Sequence, residues 1–541
     1  MDGRDDRQHL HGYAQKKIGL LLNIANIGSK GVKRMIRLDG SHLSIAEVVS
    51  IARNFESVTL AENARKNMEK SQLLVLELLH SQKTVYGVNT GFGSLSSDKI
   101  SEEDIEALQV NLLRSHSCGV GKPLPVDVVR AMMVLRADSL AKGYSGIRAC
   151  VVQLLIDVLN ARIHPEVPSK GSIGASGDLI PLAHIGLCLI GEGKVTYHNE
   201  QMSSAEAFEK TQLRPVSLGA KEGLALINGT QLMSALGCLF VWDAEQLLKH
   251  AQIAGAMSLE ALKGTNQAFR KEIHLLRPHM GQLACAENLW KLTQDSAIHD
   301  SHKNCSKVQD AYTIRCMPQV FGASKDVFSF VKNVFETEIN SVTDNPLVFP
   351  DLSESISGGN FHGQPLAFAL DFLAIALSEL GNFSERRIAR LVDSTLSGLP
   401  AFLTKHHGLH SGLMLPQYVA ASLVNENKTL CHPNSVDSIS SSANKEDHVS
   451  MGANAGLKLM QICENVRTII AIELLAGAQG LEFLKPLTPS RGVQAAYDEI
   501  RKTVSKIDAD RPLHQDIKLL TELIEKGLIL SQVETVVDPL K

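Results

Sequence analysis

Apolar residues recur at three- to four-residue spacing along four long stretches of this chain. Leu224 to Lys263 is nearly unbroken, Asp326 to Val342 is amphipathic, and Pro365 to Val392 and Met451 to Leu484 are apolar on more than one face. The spacing predicts helices in all four, and helices apolar around most of their circumference belong inside a bundle. Ser44-Ile-Ala-Glu47 reads as a capping box opening a further helix, and Ser101-Glu-Glu-Asp104 opens another. Alternation of period two is convincing only from Val195 to Gln201, with His198-Asn199 as its turn. The pattern therefore predicts a mainly α fold, an elongated helical bundle centred on about residues 224–484 with a small β-hairpin. Such long apolar helices exceed what one compact chain can cover, which predicts burial against copies of the same chain.

Residues 1–34 lack this periodicity and read as a separate N-terminal extension. Residues 35–541 read as one catalytic unit, with Met35 as an alternative start, and neither an internal repeat nor a low-complexity linker divides them. The apolar run Ile18 to Ile27 imitates a signal peptide, but Asn23 and Asn26 interrupt it and Asp2, Asp5 and Asp6 oppose a basic leader. Arg467 and Glu473 break the longest apolar helix, so no membrane span is predicted. The net charge of −4 gives no nucleic-acid footprint. Nine cysteines without a Cys-x-x-Cys pair or regular spacing read as reduced thiols, which places the protein in the cytoplasm. Asn-x-Ser/Thr matches such as those at Asn228, Asn382 and Asn427 then carry no meaning.

The candidate chemistry centres on Gly171-Ser-Ile-Gly-Ala-Ser-Gly-Asp178. If the Gly177 nitrogen attacks the Ala175 carbonyl carbon and Ser176 dehydrates, the product is a five-membered ring bearing an exocyclic methylene. That ring is an electrophile of a kind no ordinary side chain offers. Gly174 and Gly177 permit the tight approach because they lack Cβ. The plainer alternative is a glycine-rich turn before a helix, with an anion-binding N-terminus.

Other residues supply partners for such a centre. Tyr86 opens the glycine-rich loop Tyr86-Gly-Val-Asn-Thr-Gly-Phe-Gly93, a candidate lid; its phenolate would serve as a base if nearby dipoles or charges lowered its pKa. Gln309, Tyr312 and Arg315 are three apart, so a helical turn would place them on one face, with the Arg315 guanidinium suited to a carboxylate. Asn228 is a polar amide within an apolar helical pattern, either a buried group in need of a partner or a cap. His116 reads as a core histidine or a ligand, and Glu446-Asp447-His448 as a solvated charge run or a poised carboxylate. His406, His407 and His410 lack the glutamate of a zinc-protease motif, so no metal is expected.

Together these segments resemble the aromatic amino acid ammonia-lyase family. The resemblance runs from about Ile36 to the C-terminal region. It rests on the Gly171–Asp178 and Tyr86–Gly93 stretches, Asn340-Ser-Val-Thr-Asp-Asn-Pro346 and Gly358-Gly-Asn-Phe-His362, in that family's order. Ser115-His116, Ser435-Val-Asp-Ser438 and Ser442 to Met451 resemble the family's histidine lyases. The resemblance implies a self-formed 4-methylidene-imidazol-5-one (MIO) from Ala175, Ser176 and Gly177, with no pyridoxal phosphate and no metal. It implies Tyr86 as the base for the β-proton and Asn228 as the holder of the ring oxygen or the substrate amine. Arg315 would bind the substrate carboxylate, supported by Tyr312 and Gln309. Phe361 would line the pocket, and His116, Met414 and Glu446 would contact an imidazole. It further implies deamination of histidine to urocanate and ammonia, and a homotetramer with active sites shared between chains, Ser176 meeting the Tyr312–Arg315 turn across an interface.

Two positions depart from the histidine-lyase pattern. Lys445 stands where Gln is usual, where it would favour an ionised Glu446 or compete for it as a partner, and Asn266 stands where Asp is common. A tyrosine or phenylalanine lyase or aminomutase is the competing reading, against which stands the cost of burying Glu446 beside a neutral ring. An inactive helical scaffold is opposed by the intact Ser176, Tyr86 and Arg315. A fumarase-like lyase is opposed by the lack of its Gly-Ser-Ser-x-Met-Pro signature.

Overall fold

A computed structural model describes residues 35–81, 84–91, 93–95, 97–303 and 307–541. The N-terminal extension, and with it the reading of residues 1–34, lies outside the described residues, as does Phe92 of the glycine-rich loop.

An outer layer comes first in the chain. Strand β1 (Met35–Leu38) pairs in parallel with β2 (Ser57–Leu60), in the register Met35↔Ser57 to Leu38↔Leu60. Between them runs α1 (Ile45–Arg53), opened by Ser44 and Glu47 in a full capping box. Then follow α2 (Glu62–His80), α3 (Ile105–His116), β3 (Val120–Pro123), α4 (Val126–Ala141) and α5 (Ala149–Asn160). The short strands β4 (His164–Pro165) and β5 (Pro168–Lys170) lead to α6 (Leu179–Leu189). The predicted hairpin is β6 (Lys194–Tyr197) and β7 (Glu200–Ser203); its turn residues His198 and Asn199 both take positive φ. It pairs on β4, and further two-stranded pairs occur elsewhere, so β structure is more dispersed than the single hairpin expected. Helix α7 (Ser204–Thr211) follows, again with a capping box.

The bundle is built from α9 (Gln231–Ala261), α11 (Met317–Glu338), α12 (Gln364–Val392) and α14 (Gly452–Glu482), preceded by the short α8 (Glu222–Ile227) and by α10 (Met280–Leu292) between α9 and α11. Helices α12 and α14 pack along each other and both pack on α9, which α11 also flanks. The hairpin β8 (Leu347–Phe349) and β9 (Glu354–Ile356) precedes α12, and α13 (Met414–Leu430) lies against α12 and α14. Helices α15 (Arg491–Thr503), α16 (His514–Glu525) and α17 (Leu528–Glu534) close one end.

Two expectations are corrected here. The Leu224 to Lys263 stretch is two helices, broken at Asn228, Gly229 and Thr230. Asn228 therefore sits at the break, not inside a helix. Helix α12 is also long and apolar enough to cross a membrane by length and composition, contrary to the expectation that no segment would be. Two-thirds of its apolar window (67%) is buried in the fold, because α9, α11 and α14 cover it. At the bundle centre Arg387 and Glu473 are both fully buried and paired at 2.6 Å, with Ser258 and Ser384 also donating to that carboxylate.

Candidate active site

The turn between β5 and α6 carries Ala175, Ser176 and Gly177, and two distant segments hold it. From one side comes the α8–α9 break. Asp178 N donates to Gly229 O at 2.7 Å, and Asn228 Nδ2 donates to the Ser176 carbonyl oxygen at 2.8 Å. From the other side comes the segment before α14. Met451 N donates to Ile173 O at 2.9 Å and Ser450 Oγ to Gly174 O at 3.1 Å. Gly177 has φ +71°, and a Cβ there would collide with the Gly229 carbonyl. Only glycine permits both the conformation and the approach. The tripeptide thus fits the ring cofactor: the closing residue lacks a Cβ, and the carbonyl that would become the ring oxygen already has a donor.

The turn borders a cavity of about 570 Å³ lined by Tyr86, His116, Ser176, Asn228, Phe361 and Glu446, among others. Six expected site residues are thus brought together, with Ala175 at the same wall. Ser176 Oγ donates to Glu446 Oε1 at 3.1 Å, and the second Glu446 oxygen accepts from Ser441 Oγ. Lys445 also lines the cavity, but among the described residues it forms no ion pair with Glu446, whose oxygens are taken by the two serines. Asn266 is buried elsewhere, donating to Thr293 O at 3.2 Å.

Burial sets the charge states. It holds the His116 imidazole below its ordinary range, against a hydrogen bond to the Leu112 backbone carbonyl and the nearby Glu446 charge. Ser115 Oγ lies 3.0 Å from His116 Nδ1. Burial pushes the Tyr86 phenol up, the Glu446 charge adds to this, and only the Gly93 N–H, donating to its oxygen at 3.4 Å, opposes it. Among the described residues, no group of the same chain outweighs the burial that keeps the Tyr86 pKa above the range base chemistry requires.

Four expected residues lie away from both the Ser176 turn and this cavity. Tyr312 and Arg315 form a short helical turn in which the guanidinium stacks 4.7 Å from the exposed tyrosine ring. Arg315 Nε is buried without a hydrogen-bond partner among the described residues. Gln309 precedes the turn and is not on its face, because residues 307–311 are not helical; it borders a separate cleft with Lys263, His299 and Lys303. Met414 is half-buried at the start of α13.

Sequence reasoning gave no role to Asp178. It is fully buried, accepts from Ser172 Oγ at 2.8 Å and Met233 N at 3.0 Å, and has its pKa raised to about 6 by burial. The signal was a carboxylate directly after Ala-Ser-Gly, but a helix-capping role accounts for an aspartate there equally well. His362 and His448, which also line the cavity with rings stacked at 5.4 Å, were seen only as members of longer motifs.

The family model for aromatic amino acid lyase matches residues 43–502. A histidine ammonia-lyase of Alkaliphilus oremlandii is 52% identical over 505 residues, covering 93% of this chain and 99% of that one. A histidine ammonia-lyase of Myxococcus xanthus is 48% identical over 500 residues, covering 92% and 98%. Among solved structures, histidine ammonia-lyase from Trypanosoma cruzi superposes with a TM-score of 0.87 at 41% identity, covering 93% of this chain and 96% of that one. Tyrosine aminomutase from Streptomyces globisporus superposes with a TM-score of 0.90 at 35% identity, covering 94% and 100%. With the Ala-Ser-Gly turn, its two clamps and these matches along nearly the whole length, the chain belongs to the aromatic amino acid lyase family.

Proposed function

We propose that this protein is a histidine ammonia-lyase, converting L-histidine to urocanate and ammonia through a ring formed from Ala175, Ser176 and Gly177. The observation that carries the reading is the placement of His116 and Glu446 beside the Ser176 turn, across one cavity from Tyr86. When formed, the MIO ring supplies an electrophilic methylidene carbon. Asn228 Nδ2 holds the oxygen on that ring, where a fixed donor stabilises charge as it develops. His116 and Glu446 hold the substrate imidazole, one polar partner for each ring nitrogen. Phe361 packs against the ring face. Tyr86 takes the β-proton; the electrons of that C–H bond become the Cα=Cβ double bond as the C–N bond breaks and nitrogen leaves as ammonia.

The substrate carboxylate needs a cation that the Ser176 cavity does not gain from its own chain's Arg315. We propose that Arg315 of the partner subunit, with its Tyr312, Gln309 and Met414, completes the site in a homotetramer. The exposed Tyr312, the unpartnered Arg315 Nε and the exposed apolar stripe Phe368, Phe372 and Ile375 on α12 support that assembly. The same guanidinium would offset the burial that raises the Tyr86 pKa. The near-neutral charge and free thiols fit a cytoplasmic enzyme acting on a small amino acid, with neither nucleic acid nor membrane as partner.

An aminomutase is the second reading, favoured by the overlap with tyrosine aminomutase. One assay decides. Purified enzyme is given histidine, tyrosine and phenylalanine separately, and arylacrylate, β-amino acid and ammonia are measured. Urocanate from histidine with a stoichiometric amount of ammonia is the expected result; a β-amino acid as main product, or higher kcat/KM for tyrosine, overturns it.

A further inference from the structure

The α8–α9 break is the surface on which the Ser176 turn rests, and a single buried cation ties its two ends. Arg136, on α4, is 1% exposed. Its Nε donates to Ala225 O in α8 at 2.9 Å, and Nη2 donates to the same carbonyl. Its Nη1 donates to Gln231 Oε1, at the first residue of α9, at 3.1 Å. Gln231 Nε2 passes the chain of bonds to Thr343 Oγ1 at 3.2 Å. A Cβ on Gly229 would collide with Arg136 Nη1 and Gln231 Oε1, so the guanidinium lies flush against the peptide that receives Asp178 N.

Arg136 has no carboxylate in ion-pair contact among the described residues. The nearby Asp344 is committed to Lys221 at 2.7 Å. Burial pushes the Arg136 pKa down to about 10. A buried cation held by a carbonyl and an amide carries a desolvation penalty that a neutral, apolar tie between two helices would avoid. What the guanidinium gives in return is geometry: a planar fork with donors on two edges spans the break in one fixed arrangement.

We propose that Arg136 is a positioning residue for the electrophile. By bridging the end of α8 to the start of α9 it fixes Asn228 against the Ser176 carbonyl and Gly229 against the Gly177–Asp178 peptide. This rests on the ring-cofactor reading above. Arg136 touches neither substrate nor ring; it acts through the break.

The test compares Arg136→Met, Arg136→Lys and Gln231→Leu with the unaltered protein, using only material of native circular dichroism and sedimentation. Intact mass reports ring closure, and steady-state kinetics on histidine report function. For Arg136→Met a fraction of chains is expected to keep both waters, with kcat falling roughly 10²-fold and KM moving by less than about threefold, the pattern of a misplaced reacting group. Arg136→Lys, which restores charge but not the fork, should fall between. Gln231→Leu, which cuts one arm, should show a smaller loss of kcat in the same direction. Normal mass and kcat in Arg136→Met overturn the proposal, as does activity lost only in proportion to folded protein. If Arg136→Met does not fold, Gln231→Leu decides, and its unchanged kcat and mass overturn it. An unaltered protein of unshortened mass instead refutes the ring reading, which separates the two failures.

Discussion

The Ser176 hydroxyl donates to Glu446 at 3.1 Å, joining residues 270 positions apart. The proposed ring closure would remove that hydroxyl as water and leave the same carboxylate oxygen facing the cavity beside His116. A site that binds a polar ring through fixed partners rejects analogues lacking those groups by roughly 10⁴-fold. Glu446→Gln should therefore lower kcat/KM for histidine by roughly 10²-fold or more, a charge-assisted bond to substrate being replaced by a weaker one. Turnover of tyrosine should change much less. Parallel losses for both substrates would show that Glu446 does not read the imidazole.

The proposed ring would form from the chain's own Ala175, Ser176 and Gly177, with no partner. Intact mass of the purified protein should be lower than the sequence mass by two waters. Ser176→Ala should fold, keep its full mass and lose nearly all activity. A full-mass native protein with full activity would falsify the cofactor assignment.

Asn228 is the one side chain donating to the Ser176 carbonyl among the described residues. Asn228→Ala should reduce kcat by about 10²- to 10³-fold, the usual consequence of removing one donor from a developing oxyanion. An effect confined to KM would assign Asn228 to ground-state substrate binding instead.

Separate locations for Ser176 and Arg315 within one chain lead to a complementation experiment. Ser176→Ala and Arg315→Ala should each be inactive alone. Co-expressed, they should recover part of the activity, since a mixed tetramer contains some sites with both residues intact. No recovery in verified mixed oligomers would place both residues in the site of a single chain.

His250, in α9, is fully buried, and burial together with Arg467 and Lys249 lowers its pKa from 6.5 to about 4. The folded protein keeps it neutral while the unfolded chain protonates it below pH 6.5. The unfolded state then binds more protons, so stability falls as the pH drops from 6.5 towards 4, by about 2 kcal/mol at pH 5. Buried Asp178, raised to about 6, acts with the opposite sign, so the measure is the difference between the protein and His250→Leu. The relative stability of that variant in denaturation at fixed protein concentration should rise by this amount as the pH falls from 7 to 5. An unchanged slope in that variant would assign the acid sensitivity to other groups.

The sequence by itself determined the bundle and the chemical centre. Helices α12 and α14 follow directly from apolar spacing, because a buried helix must be apolar on every face it packs; observed bounds Gln364–Val392 and Gly452–Glu482 differ little from those expected. The Ser44 capping box and the His198-Asn199 turn are local hydrogen-bond and dihedral requirements, so a few adjacent residues encode them. The Ala175-Ser176-Gly177 turn was legible for the same reason. Only the tertiary structure decided what each polar residue faces. Asn228 left its helical pattern because the break lets its amide reach Ser176, a demand set by a segment 52 residues away. Glu446 turned to Ser176 and Ser441 and not to Lys445, a choice between partners that adjacency in sequence does not make. Tyr86 gained a raised pKa from burial, and Arg136 a clamping role from packing against Gly229. Periodicity records which face of a helix is buried; hydrogen-bond partners and desolvation arise from contacts between distant segments, and those exist only once the chain has folded.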